Sequence, residues 1–179
     1  MTIKINKKQI IVSLDCDTEE EVEAILTLLD PNLYRVKVGK QLFMNCGPNI
    51  IKKINNFGFE IFLDLKLHDI PNTVSKALQN ILKLNIWMTN IHLSGGREMI
   101  EASVNKIKEF NNETLLVGVT VLTSLDDKDL EEIGFYRNTE ESTLVLAKLG
   151  KEIGIDGVVA SLNSVSEIKT TFGNDFVTV

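Results

Sequence analysis

The run Asp64-Leu-Lys66-Leu-His-Asp69 places an acid, a base and a second acid in a stretch otherwise apolar enough to be buried. By the two-residue period of a strand, Phe62, Asp64 and Lys66 share one face, and Ile61, Leu63 and Leu65 share the other. Lys37 stands between Val36 and Val38 in the same manner, and Asp15 closes the first apolar run. A lysine held among carboxylates can deliver a proton and stabilise developing negative charge. The carboxylates keep it charged despite burial. One Asp or Lys at a strand end is as readily structural as functional. Four on consecutive strands point to a functional array, because desolvation consumes most of the Coulomb gain of a buried ion pair.

These groups must be positioned by a regular alternation of strands and helices. Strands are expected at Gln9–Leu14, Tyr34–Val38, Glu60–Leu65, Trp87–His92, Thr114–Val121 and Gly157–Ala160, with the start of a seventh at Phe176–Val179. A capping box at Thr18-Glu-Glu-Glu21 opens a helix that runs to about Asp30, before Pro31. Gly47-Pro48 opens a second, with proline at the first helical position. Further helices are expected from Pro71 to Leu84, from the Ser94-Gly95-Gly96 turn to Phe110, near Asp126–Ile133, over Thr139–Ile153, and after a second capping box at Ser164-Val-Ser-Glu167. Crossovers long enough to hold a helix imply parallel pairing, in a doubly wound sheet or a (β/α)8 barrel. The first strand is followed by Asp15-Cys16-Asp17 rather than a glycine-rich dinucleotide fingerprint, which weighs against a Rossmann domain. In either fold the strand ends bearing Asp15, Lys37, Asp64 and Lys66 are the ends that host sites.

The 179 residues, 44% hydrophobic and 25% charged with a net charge of −6, describe one globular domain over 1–179. The acidic balance argues against a nucleic-acid groove. The longest uncharged stretch, Leu84 to Gly96, is too short and polar to cross a membrane, and Ile10 to Leu14 is too brief for a signal peptide. Cys16 and Cys46 fit neither a disulfide framework nor a metal motif, so a cytoplasmic location is the default. His68 and His92 read as structural, Cys16, Trp87, Met88 and the phenylalanines as packing, and Asp126–Glu132 as a solvated helix face.

The segment Asp64-Leu-Lys66-Leu-His-Asp69-Ile-Pro-Asn-Thr73 resembles the signature of the orotidine 5'-monophosphate decarboxylases. Ser13-Leu-Asp15, Tyr34-Arg-Val-Lys37-Val-Gly-Lys40, His92-Leu-Ser-Gly-Gly96 and Val119-Thr-Val-Leu-Thr-Ser124 extend the likeness to the bacterial branch from Gln9 onward. The resemblance implies a TIM-type (β/α)8 barrel and cofactor-free, metal-free decarboxylation of a nucleotide. Lys66 would protonate C6 of the pyrimidine as carbon dioxide leaves. Asp64 would sit beside the substrate carboxylate and help keep Lys66 protonated. Asp15 and Lys37 would bind the ribose hydroxyls, with Lys37 also part of the Asp/Lys chain. Ser124 would bind the ring edge. Asp69 would reach into the site of a second subunit, which Ile70 and Thr73 would also line, so the implied assembly is a homodimer with shared sites.

The family's phosphate grip lies on loops after the last two strands, and the sequence stops at Val179 before both. No residue here is therefore assigned to the phosphate, and the expectation is a barrel incomplete at its C-terminus, lacking the last strand and helices. Two other readings remain. One is a magnesium-dependent sugar-phosphate decarboxylase or aldolase sharing Asp-x-Lys-x-x-Asp, which the Ile70-Pro-Asn-Thr73 extension disfavours. The other is a non-catalytic truncated remnant.

Overall fold

The computed structural model describes residues 8–110 and 113–179. The first elements are β1 (Ile10–Ser13), α1 (Glu19–Leu26), β2 (Tyr34–Gly39), α2 (Lys40–Cys46), α3 (Asn49–Asn56), β3 (Ile61–Leu67), α4 (Pro71–Ile81) and β4 (Met88–His92). There follow α5 (Arg97–Glu109), β5 (Leu115–Val119), α6 (Asp127–Glu132), α7 (Thr139–Ile153), β6 (Gly157–Val159), α8 (Leu162–Phe172) and β7 (Val177–Thr178). The strands form one seven-stranded sheet in the order β1-β2-β3-β4-β5-β6-β7. Pairing is parallel where β1 meets β2, β2 meets β3, β5 meets β6 and β6 meets β7. A doubly wound sheet reverses its order at a switch point. A strictly sequential order is that of a TIM-type barrel, and the described residues hold seven of its eight strands.

The chain divides into two compact units, Met1–Leu65 with Asn80–Thr89, and Lys66–Gln79 with Asn90–Val179. In the first, α1 begins at the expected capping box: Thr18 Oγ1 accepts from the Glu21 N–H at 3.2 Å, and the Glu21 carboxylate accepts from the Thr18 N–H at 3.2 Å. The helix ends at Leu26 rather than Asp30, because the Leu28 and Leu29 N–H groups bond three residues back, tightening the last turn. The sequence signalled one helix where two stand. The N-cap of α2 is Gly39, which has no side chain to cap it, so the helix left no start signal. Gly47, at φ +65°, then breaks the chain, and Pro48 occupies the N-cap of α3 instead of its first turn. In β2, Val36 and Val38 are fully buried and flank Lys37, as the period of two demands. At the opposite end of the same strand Arg35 donates to Glu60 at 2.6 Å and lies 3.9 Å from the Trp87 ring centroid. Trp87 is thus half-buried, with a cation on its face, while Met88 is fully buried.

The second unit is built on Ile91, Leu93, Met99, Ile100, Leu116 and Val158, all buried. α7 has the predicted bounds: the Asn138 side chain caps Glu141 N at 2.8 Å, and Gly154, at φ +104°, closes the other end. The capping box expected at Ser164 is not one. β6 ends at Val159, the chain turns at once, and Ser161 is the N-cap, leaving Ser164 as a buried residue of the first turn of α8, 3.2 Å from the Ser161 hydroxyl. The acidic run does form α6, and Asp126 caps it by accepting from the Lys128 and Asp129 N–H groups. Phe110, expected in the core, is exposed at the end of α5.

β6 and β7 approach closely because Gly157 lacks a side chain: a Cβ there would stand 2.2 Å from the carbonyl oxygen of Val177. Gly157→Ala should therefore destabilise the fold by about 1–3 kcal/mol in a urea titration. An unchanged midpoint would contradict the β6–β7 pairing.

Candidate active site

β1 and β2 bring Asp15 and Lys37 together, and β3 supplies Asp64. The register pairs Ser13 with Lys37 and Gly39 with Asp64, and the Leu14 N–H continues the ladder to the Lys37 carbonyl. Asp15 lies two residues past the end of β1, which stops at Ser13 and not at Leu14. Lys37 Nζ is 3.7 Å from Asp15 Oδ1 and 3.5 Å from Asp64 Oδ2. The two carboxylates are unlike: the Asp15 side chain is 75% exposed and that of Asp64 10%. The ammonium thus links a solvated anion to one largely removed from water. Asp15 is also steadied from its own strand, since Ser13 Oγ donates to Asp15 Oδ1 at 2.8 Å. A Cβ at Gly39 would stand 3.6 Å from Lys37 Nζ, an ordinary van der Waals contact.

Lys66 departs from the strand rule. It lies in β3 yet has φ +51°, the left-handed region, which costs a residue with a Cβ roughly 1–2 kcal/mol. The regular two-residue alternation that puts Phe62 and Asp64 on one face therefore stops at Lys66. Its N–H donates to Asn90 Oδ1 at 2.7 Å. Beyond it, Asp69 is exposed and accepts from the Ile70 N–H at 2.7 Å, and Ile70 accepts the first bond of α4 from Val74. Ile70 is 67% exposed, a large apolar side chain in water next to the exposed Asp69 and Thr73.

Ser124 is exposed in the turn after β5. Its neighbour Thr123, not Ser124, lines a small hydroxyl-rich cavity of about 190 Å³ with Thr139, Thr143, Ser161 and Ser164. A second cavity of about 350 Å³, mainly apolar, opens past the ends of β4 and β5 among His68, His92, Thr120, Leu125, Leu130 and Phe135. His68 and His92 stack there with ring centroids 5.2 Å apart. Among the described residues no group of three or more His, Cys, Asp or Glu side chains could hold a metal ion, and no helix is long and apolar enough to cross a membrane. Sequence reasoning missed Ser13 and Asn90. Ser13 was detectable, being two residues before Asp15 in the same apolar run. Asn90 carried only the weak signal of an amide in a strand too apolar to be exposed.

A sequential parallel sheet with an Asp–Lys–Asp chain at the carboxyl ends of its first strands defines a TIM-type barrel enzyme. The chain belongs to the orotidine 5'-phosphate decarboxylase/HUMPS family, whose model matches residues 8–179. It is 48% identical over 171 residues to the orotidine 5'-phosphate decarboxylase of Marinomonas sp., covering 95% of this chain and 73% of that protein. It is 43% identical over 174 residues to that of Saccharophagus degradans, covering 97% and 73%. The crystal structure of orotidine 5'-phosphate decarboxylase from Lactobacillus acidophilus superposes with a TM-score of 0.89 at 39% identity, covering 97% of this chain and 80% of that one.

Cys16, next to Asp15, is buried, and its thiol is pushed up by that burial first and then by the negative charges of Glu21, Asp15 and Asp17. The thiolate is the nucleophile, so folded protein should alkylate slowly at Cys16 at neutral pH, and Asp15→Asn should speed the reaction by removing one of those charges. Labelling of Cys16 as fast in the folded as in the urea-unfolded chain would contradict this placement.

Proposed function

We propose that the chain decarboxylates orotidine 5'-monophosphate to uridine 5'-monophosphate by means of an Asp/Lys charge array. The observation that carries the reading is Lys37 set between Asp15 and the buried Asp64. Family membership and relatives named for this reaction support it. The chain spans 69–73% of the length of those relatives, and its own residues are assigned only to the ribose, the ring and the reacting carbon.

The bond from C6 to the carboxylate breaks, carbon dioxide leaves, and the electron pair stays on C6. Nothing in the ring delocalises that pair well, so the protein must put positive charge and a proton where it forms. Lys66 supplies both: its ammonium stabilises the developing carbanion, then transfers a proton to C6 and is reprotonated from solvent. Asp64, two residues earlier in the same strand, lies against the substrate carboxylate. Their repulsion is relieved as the carboxylate departs as neutral carbon dioxide. Lys37 offsets the charge of Asp64 and, with Asp15, takes the ribose hydroxyls. Ser124 binds the ring edge. These fixed charges need no rearrangement during the reaction, which is where their advantage over water lies.

The exposed Asp69, Ile70 and Thr73 complete the site of a second copy in a homodimer. The support for this is the resemblance of Asp69-Ile70-Pro-Asn-Thr73 to the family signature, together with the exposure of Asp69, Ile70 and Thr73, which leaves them accessible to a partner.

Lys66→Ala should remove turnover, followed as loss of orotidine absorbance, while leaving the circular dichroism spectrum unchanged. Retained turnover would refute the assignment, as would complete loss of wild-type turnover on chelation of metals. Asp69→Ala should be inactive alone, yet mixing Asp69→Ala with Lys66→Ala subunits should restore roughly a quarter to a half of the sites, one intact site per mixed dimer. Absence of any recovery would rule out shared sites.

A further inference from the structure

Among the described residues other than glycine, positive φ occurs at Lys8, Lys66 and Asn85. Lys8 precedes β1, and Asn85 ends a 3-10 turn, a place where asparagine tolerates this conformation. Lys66 alone of the three lies inside a strand, where a lysine has no local reason to be left-handed. Something outside the residue must hold it. Its N–H points to the side chain of Asn90, 2.7 Å away. Since a backbone N–H only donates, the facing atom is the amide oxygen. Asn90 is wholly buried in β4 between Thr89 and Ile91, themselves wholly buried, so its side chain is fixed by packing.

We propose that Asn90 is a positioning residue for the decarboxylation: its amide oxygen anchors the Lys66 N–H, keeps the Lys66 backbone left-handed, and so sets where the ammonium sits. This rests on Lys66 being the proton donor. A lysine side chain has several rotatable bonds beyond its backbone, so a change of φ at its root displaces the ammonium by ångströms. A misplacement of about 1 Å at a reacting centre is enough to cost on the order of a hundredfold in rate. The effect falls on the chemical step, because the ribose and phosphate groups that hold the substrate do not depend on Lys66.

The test compares Asn90→Leu, which keeps the branching at Cγ and removes the acceptor, with Asn90→Asp, which keeps an oxygen in the same place. Asn90→Leu should lower kcat by about thirtyfold or more while KM stays within roughly threefold, and Asn90→Asp should recover to within about tenfold of wild type. Circular dichroism and thermal melts confirm that each variant folds. If Asn90→Leu does not fold, Asn90→Ser replaces it, its hydroxyl being too short to reach the N–H. Folded Asn90→Leu with kcat within about threefold of wild type would overturn the proposal, as would Asn90→Asp falling as far as Asn90→Leu. Hydrogen exchange at the Lys66 amide provides a reading independent of activity. It should be protected in the wild type and exchange at least about tenfold faster in Asn90→Leu. Equal rates would overturn the anchor. A wild-type chain without turnover counts against the decarboxylase reading alone, and the exchange measurement then decides on the anchor.

Discussion

The Lys37 ammonium lies within 4 Å of two carboxylates, one in water and one nearly out of it. Taking Asp64 out of water costs several kcal/mol before any partner is counted, and an attraction of this kind offsets that cost only with good geometry. The geometry comes from the sheet. Parallel register fixes Gly39 beside Asp64 and Ser13 beside Lys37, so the three charges meet wherever β1, β2 and β3 pair correctly. The buried valines on either side of Lys37 and the buried Leu63 before Asp64 then hold the strands in register. A wrong register would strand Asp64 without its cation. The apolar core and the charged array therefore enforce one another.

The fold was readable because its signals are local and periodic. Val36-Lys37-Val38 alternates, Thr18 and Glu21 cap, and Asn138 and Gly154 bracket α7. The strand–helix alternation left two parallel architectures open, since strand order is a long-range property with no local signature, and the family resemblance singled out the barrel. What escaped was also physical. α2 follows β2 directly and begins without a capping side chain, so it reads as part of a loop. The start of α8 was displaced to Ser164 because a Ser-x-x-Glu pattern mimicked a box that the short β6 had already overtaken.

Of the candidate site, the residue types and their strand-end positions were legible, but not the conformation of Lys66. Periodicity assumes every residue of a strand has strand dihedrals, and Lys66 does not. Local rules are broken at functional positions when surrounding structure compensates. Here the compensation includes a side-chain amide from the next strand, which no spacing rule within β3 could reveal. Ser13 behaves similarly on a smaller scale: a hydroxyl named in the sequence only as part of a motif donates to the carboxylate of Asp15.

If the charged chain is one device, removing either end of the Lys37–Asp64 pair should disable it, and removing the second should add little. A double-mutant cycle of Lys37→Met and Asp64→Asn, read as turnover of orotidine 5'-monophosphate, tests this directly. The double variant should be about as slow as the slower single variant. Losses that simply multiply would show that Lys37 and Asp64 act independently and that the charged chain is not one device.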